Sequence, residues 1–345
     1  MGSSGNRSIR GSRAHLGAAV LALMLASGPA SAQLPRVGII DFYGLRTLEP
    51  ADLANALALQ IGDSLTVPAA VLRERLLGVP GVRDATVNTV CCEGGRTIVY
   101  VGIREARAET IEFDAAPNGS ARLPAEVVKA ADEFMNAVFE GVRSGQNAED
   151  DSEGHAVPLY APARASQQKL IDYAIAHVAE IRGVLKTAGD PRQRALAAQM
   201  IAYTKDKALV VADLVTATRD PDANVRNNAV RALAVMAIYE QKHPDANFKI
   251  SYAPFIDLLN SLEWTDRNKA AFALTALTEP RDPDLLRELR ERAIESLVEM
   301  ARWRAFGHAA AAGMILGRIG GLAENEIFAL LQKNREAVIA AALKR

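Results

Sequence analysis

Two clusters of side chains have the types and spacing for recognition chemistry. Arg226, Asn227 and Asn228 form the first, and Trp264, Asp266, Arg267, Asn268 and Lys269 form the second. Arg226 and Arg267 stand 41 residues apart within related stretches, so both clusters fall at the start of the second helix of a repeating unit. A tryptophan beside an arginine and amides has the composition of a protein-binding hot spot, with a large ring and planar donors at low entropic cost. The same residues also suit a structural role. The arginines can pair with Asp220 or Asp222 and tie repeats together, and Trp264 can fill the gap between them.

Patterns for bond-breaking chemistry are missing. The sequence holds no G-x-S-x-G, H-E-x-x-H, G-x-x-x-x-G-K-[ST] or G-x-G-x-x-G. His155, His177, His243 and His308 are scattered without metal-ligand spacing. His177 is expected inside an apolar helix, and His308 occupies an arginine slot of the repeat. The acidic run at 149–153 lacks the alternating oxygen ligands of a calcium loop. No catalytic, cofactor-binding or metal-binding residue is expected, and the chain is read as a non-enzyme. Cys91 and Cys92 are the two cysteines. A strand would point them to opposite faces, one to the core and one to solvent, as small hydrophobic side chains. The sharper alternative is a redox switch or an intermolecular disulfide through Cys92.

Those residues must be positioned by a chain of 345 residues, long enough for two domains, with 49% hydrophobic residues. Lys plus Arg number 40 against 41 Asp plus Glu, so a basic field for nucleic acid is absent. Two cysteines are too few for a disulfide scaffold or a four-cysteine zinc site.

Residues 1–32 read as a secretory signal peptide. Arg7, Arg10 and Arg13 precede the apolar run at 16–26, and Ala30-Ser31-Ala32 supplies the cleavage pattern. The run is too short to span a bilayer. Cleavage after Ala32 predicts a mature, exported, periplasmic or secreted chain without a transmembrane span, with 37 basic and 41 acidic residues.

From 33 to 110 the order strand, helix, helix, strand, strand is predicted. The strands are 37–44, 85–91 and 97–105, the last two forming a hairpin about Gly94-Gly95. The helices are 47–59, with Pro50 in its first turn, and one capped by Thr66 and closed by Pro80-Gly81. Gly-Leu-Arg after the first strand, Gly-Asp between helices, Leu-x-x-x-Pro-Gly-Val-Arg-Asp-Ala before the second strand, and a Val/Ile-rich last strand ending in Glu105 resemble a POTRA domain. That resemblance implies a sheet edge to which an extended peptide can add.

Residues 111–143 are read as a connecting segment with an amphipathic helix at 123–142, and 144–165 as a flexible acidic linker. The two folded units are thus expected to be separable. From 166 to 345 an all-α repeat is predicted. Copies begin near Asp190, Asp220, Trp264 and Phe306, with Arg194, Arg226, Arg267 and His308 in register. First helices are placed at 171–185, 208–217, 253–262 and 289–303, a final helix at 324–343, and a loop at 238–251. The stretch LVTATRDPDANVRNNAVRALAVMA resembles a HEAT repeat, an armadillo-like helical unit. The resemblance implies second helices on a concave, partner-binding face.

These readings converge on an exported protein-interaction scaffold of the bacterial cell envelope, with protein partners that include an envelope or outer-membrane complex. The alternatives are an enzyme or enzyme accessory of the HEAT-like lyase type and a structural envelope component.

Overall fold

The computed structural model describes residues 36–106 and 111–344. The expected signal peptide and its cleavage site lie outside the described residues. No helix among the described residues is long and apolar enough to cross a membrane.

The chain opens with β1 (Val37–Tyr43), α1 (Pro50–Leu57), α2 (Ala69–Leu77), β2 (Val82–Glu93) and β3 (Arg96–Glu105), the predicted order. The sheet runs β1-β3-β2, with β1 parallel and β2 antiparallel to β3. Pro50 opens α1, where its missing N–H costs nothing. The loop after β1 is fastened by Glu105 at the end of β3. Its carboxylate accepts hydrogen bonds from the backbone N–H groups of Arg46, Thr47 and Leu48 at 2.6–3.0 Å. Burial pushes the Glu105 carboxyl up, but these bonds outweigh it and hold it at about 2. The Gly-Leu-Arg and the closing Glu of the sequence motif are therefore one structural unit.

β3 reads Thr-Ile-Val-Tyr-Val-Gly-Ile, apolar at nearly every position, as a strand covered on both faces must be. Val99, Val101 and Ile103 face Leu53, Leu57, Leu72 and Leu76 of α1 and α2. Ile98 and Tyr100, with Tyr43 of β1 and Val90 of β2, belong instead to the core of the helical region.

That region begins with α3 (Ala125–Arg143) and a short ribbon, β4 (Glu149–Asp150) and β5 (Val157–Pro158). Then come α4 (Ala161–Ala176), α5 (Val178–Thr187), α6 (Pro191–Ile201), α7 (Val211–Ala217), α8 (Ala223–Lys242), α9 (Ala253–Leu258), α10 (Trp264–Leu277), α11 (Pro283–Ala301), α12 (Phe306–Ile319), α13 (Glu324–Lys333) and α14 (Arg335–Leu343). Helices α6, α8, α10 and α12 lie side by side as an inner row, each against the next. They are the four predicted second helices. Asp190 and Asp222 cap α6 and α8 by accepting from the N–H groups of Arg192, Asn224 and Val225.

Several expectations are corrected. The segment at 144–165 is not a solvated linker: it holds the β4–β5 ribbon, Glu149 pairs with Arg231, and His155 is buried. The helical region starts at α3, which packs along α4. The single helix expected at 171–185 is broken at His177, which lies half-exposed between α4 and α5 and stacks on Tyr173. The final helix is broken at Asn334, whose side chain caps α14. α8 runs on to Lys242, taking the first part of the expected 238–251 loop.

The sheet and the repeats are not separable either. Gly102 of β3 comes so close to the loop before α10 that an added Cβ would stand 2.5 Å from the Leu262 carbonyl oxygen and 2.7 Å from the Tyr43 hydroxyl. Tyr43 and Thr86 both donate hydrogen bonds to that carbonyl, at 2.6 and 2.9 Å. Asp41 pairs with Arg304 at 3.1 Å. Replacing Gly102 by Val should wedge the sheet off the repeats and destabilise the protein by about 1–3 kcal/mol, the scale of core overpacking. Urea denaturation would show this as a lower midpoint. An unchanged midpoint would contradict the close docking.

Candidate functional site

The arginines in register form a ladder built by one rule. Each donates back to a carbonyl six residues earlier, in the loop before its own helix, and reaches forward to a carboxylate in the next unit. Arg194 binds the Ala188 carbonyl at 2.9 Å and the Asp220 carboxylate in two bonds, at 2.7 and 2.9 Å. Arg226 binds the Asp220 carbonyl at 2.8 Å and Asp266 at 2.8 Å. Arg267 binds the Ser261 carbonyl at 2.6 Å and Glu299 at 3.0 Å. A guanidinium suits this because its planar donors satisfy two acceptors at once. Arg226 therefore meets the main chain of Asp220 rather than the carboxylates of Asp220 or Asp222.

The N-terminal half of the chain covers the ladder. The Phe113 ring lies 3.8 Å from the Arg226 guanidinium carbon, and the Tyr43 ring lies 4.7 Å from that of Arg267. In the fourth slot, His308 replaces arginine and is met by Tyr100, whose oxygen is 2.7 Å from Nδ1. Burial pushes the His308 pKa down to about 4 and pushes the Tyr100 phenol up, so a neutral ring and a neutral hydroxyl share this hydrogen bond. Tyr100 stacks on Trp264 at 5.1 Å and packs on Trp303 at 4.8 Å.

The expected binding cluster thus divides. Trp264 is 3% exposed, Arg226 1% and Asp266 0%, and Arg267 and Asn268 are equally hidden. They do not form a bare concave face, because the sheet and residues 111–114 lie over it, although Arg267 lines a groove of about 1220 Å³ left between the loop after β1, residues 111–113, α9 and α11. Nothing in the structure explains why the Asn268 amide is buried without a hydrogen-bond partner. Asn227, Asn228 and Lys269 instead line a cavity of about 260 Å³. One wall is apolar, from Phe134, Met135, Val138 and Phe139 of α3. The other is polar, from Gln199 and Tyr203 near α6, Asn227, Asn228 and Arg231 of α8, and Lys269 of α10. Glu149 pairs with Arg231 at 2.5 Å. Burial, with the Arg231 charge beside it, pushes the Lys269 ammonium down to about 7. Burial likewise lowers His155, whose two ring nitrogens have no hydrogen-bond partner. The α3 side of this cavity was not foreseen, although the amphipathic pattern at 123–142 was its available signal.

A second open feature is the outer edge of β2. The strand pairs with β3 along one side, and no strand among the described residues pairs with the other. Thr86 and Val90 face the repeats, while Val87 packs toward α1 and α2. The ladder slips between Val90 and Glu93, where Cys91 is exposed and disulfide-bonded. The reading of Cys91 as a plain small hydrophobe is corrected accordingly. The Cys92 side chain lies outside the described part of the structure.

Two outcomes follow from this geometry. Arg226→Ala strands the buried Asp266 carboxylate and should cost about 3–5 kcal/mol, while the double change Arg226→Met with Asp266→Leu should recover most of it. Trp264→Ala should cost a similar ~3–5 kcal/mol by opening a cavity under Tyr100. Thermal melts would check both: near-wild-type melting of Arg226→Ala would contradict the ladder, and of Trp264→Ala the packing under Tyr100. The second outcome concerns pH. His308 is neutral in the fold down to about 4, whereas the unfolded ring takes up its proton near the ordinary imidazole value of 6.5. Its contribution is fully present above that value and is lost as pH falls from 6.5 toward 4, an amount on the order of 3 kcal/mol. His308→Gln should flatten the stability profile across that window, as measured by urea midpoints at several pH values.

No family model matches the chain, and no curated protein does. Among solved structures it is similar to a designed armadillo repeat protein in complex with the peptide (KR)4. The two are 17% identical with a TM-score of 0.37, covering 63% of this chain and 100% of that one.

Proposed function

We propose that the protein is an exported, non-catalytic interaction scaffold of the bacterial cell envelope, whose protein partner adds as an extended strand to the outer edge of β2. The observation that carries this reading is the outer side of β2, which no strand among the described residues covers; the side chains of Arg73 and Asp84 take the carbonyl and N–H of Ala85, so an added strand would pair beyond that point. A rigid edge exposes N–H and C=O groups at strand spacing, and an extended peptide can satisfy them. The POTRA-like order of the segment supports the same use. The face of the repeats named by the sequence is largely covered from within the chain, so the sheet edge replaces it as the binding surface. Export rests on the arginine-rich start, the apolar run at 16–26 and Ala30-Ser31-Ala32.

The enzyme alternative needs convergent acid and base groups. The cavity does hold a lysine with a lowered pKa, but its carboxylate, Glu149, is paired with Arg231. That arrangement suits holding a ligand better than moving a proton.

A photocrosslinking side chain at Thr89, on β2, should give one discrete adduct with an envelope polypeptide, and the same group at exposed Val71 of α2 should give none. Mass spectrometry of the exported protein should find Gln33 at the N-terminus. The absence of any Thr89 adduct would overturn the edge, and a mature protein still beginning at Met1 would overturn export.

A further inference from the structure

We propose that the partner segment received by the outer edge of β2 is short, pairs with the main chain of Val87 and Thr89, and carries a lysine or arginine that meets the Glu263 carboxylate. This selectivity rests on the strand-addition reading and adds to it what the edge selects.

Residues of an antiparallel pair point their N–H and C=O groups alternately toward the neighbouring strand and away from it. Ala85 points away from β3, because its carbonyl accepts from Arg73 Nε at 2.9 Å and its N–H donates to Asp84 Oδ1 at 2.8 Å. Alternation then turns the main chains of Val87 and Thr89 outward and those of Thr86, Asn88 and Val90 toward β3. Arg73 and Asp84 seal one end of the outward row. The slip in register between Val90 and Glu93 ends it at the other. Val87 and Thr89 remain between these limits, with an N–H and a C=O each, enough for about four hydrogen bonds with a short strand.

The side chain at the centre of the added strand follows from what lies beside Asn88. Thr86 donates to the Leu262 carbonyl at 2.9 Å, which holds the next residue, Glu263, at the face of β2 that meets the repeats. The Asn88 side chain is within hydrogen-bonding reach of the Glu263 carboxyl. Glu263 is half-buried and forms no ion pair among the described residues. The cations around it are committed to other carboxylates. Arg226 holds Asp266 at 2.8 Å, and Arg73 and Arg104 reach Asp84 at 2.8 and 3.7 Å. Asp266 and Asp84 therefore have cations of their own, and Glu263 has none. Burial, with Asp266 and Asp84 beside it, raises the Glu263 pKa against the opposing pull of Arg226 and Asn88. A residue of the added strand directly opposite Asn88 points to the same face, with its Cβ ~5 Å from the Cβ of Asn88. A lysine or arginine there brings its charge to the Glu263 carboxylate. A carboxylate there would meet a like charge, and an apolar side chain would cover Glu263 without pairing it.

The test uses the intact chain and three probes. They are acetylated, amidated heptapeptides of alternating threonine and valine, with lysine, norleucine or glutamate at the centre. Isothermal titration should show the lysine peptide binding about tenfold more tightly than the norleucine peptide, the scale of a hydrogen bond to a charged group, and the glutamate peptide binding most weakly. Amide exchange followed by NMR should slow at Val87 and Thr89 when peptide is bound, and not at Ala85. Glu263→Gln should erase the lysine preference and leave norleucine binding unchanged. Glu263→Lys should reverse the order of the lysine and glutamate peptides, which a misfolded variant would not do. Slowed exchange at Val87 and Thr89 with all three peptides bound equally, or a lysine preference that survives Glu263→Gln, overturns the selectivity and leaves the edge standing. If no peptide binds and neither amide slows, the edge itself fails and the selectivity falls with it.

Discussion

The contact of Tyr100 with Trp264, Trp303 and His308 is the constraint on which the rest of this molecule depends. A three-stranded sheet cannot leave an apolar face in water. One face of this sheet has its own helices to cover it, and the other has none. The inner row of repeats supplies the missing cover. The aromatic stack at 4.8–5.1 Å adds directional packing, worth about 0.5–1.5 kcal/mol per pair beyond burial. Gly102 makes the approach possible, because any side chain there would collide with the Leu262 carbonyl. The two halves of the chain thus share one hydrophobic core.

The arginine ladder sets the spacing of the repeats against that sheet. Each rung fixes a loop to its own helix and a helix to the next unit. Buried ion pairs contribute little net stability, because desolvation offsets much of the attraction. Their value here is registry: a misplaced repeat would leave a charge such as Asp266 buried without its arginine. The last slot carries histidine instead, and its ring shares a hydrogen bond with the Tyr100 hydroxyl. Arg46 and Gly44, in the loop after β1, both meet Glu299, the carboxylate that also receives Arg267. The ladder and the sheet are therefore locked by the same residue.

With most of the ladder covered from within the chain, the outer edge of β2 and the open spaces beside the repeats are what other molecules can reach. The outer edge of β2 presents main-chain groups and fits a polypeptide. The cavity under α3 presents a small mixed surface.

Much of this was legible in the sequence. The strand-helix-helix-strand-strand order follows from turn residues and from β-branched runs. The repeat register follows from Arg194, Arg226, Arg267 and His308 at corresponding positions, and all four occupy the slots that self-comparison assigns. The sequence also named residues of high consequence at the starts of α8 and α10, but it could not say whether they face a partner or the chain itself. A tryptophan beside an arginine has the same composition at an interface as in a core. What distinguishes them is the burial of one element by another far away in the chain, and no local pattern encodes that. Tertiary structure alone decided that Tyr100 covers Trp264, that Phe113 covers Arg226, and that the 144–165 segment packs instead of moving freely. It also decided that Asn227, Asn228 and Lys269 share a cavity, because side chains from α3, α8 and α10 meet only when the inner row is assembled and α3 is laid across it.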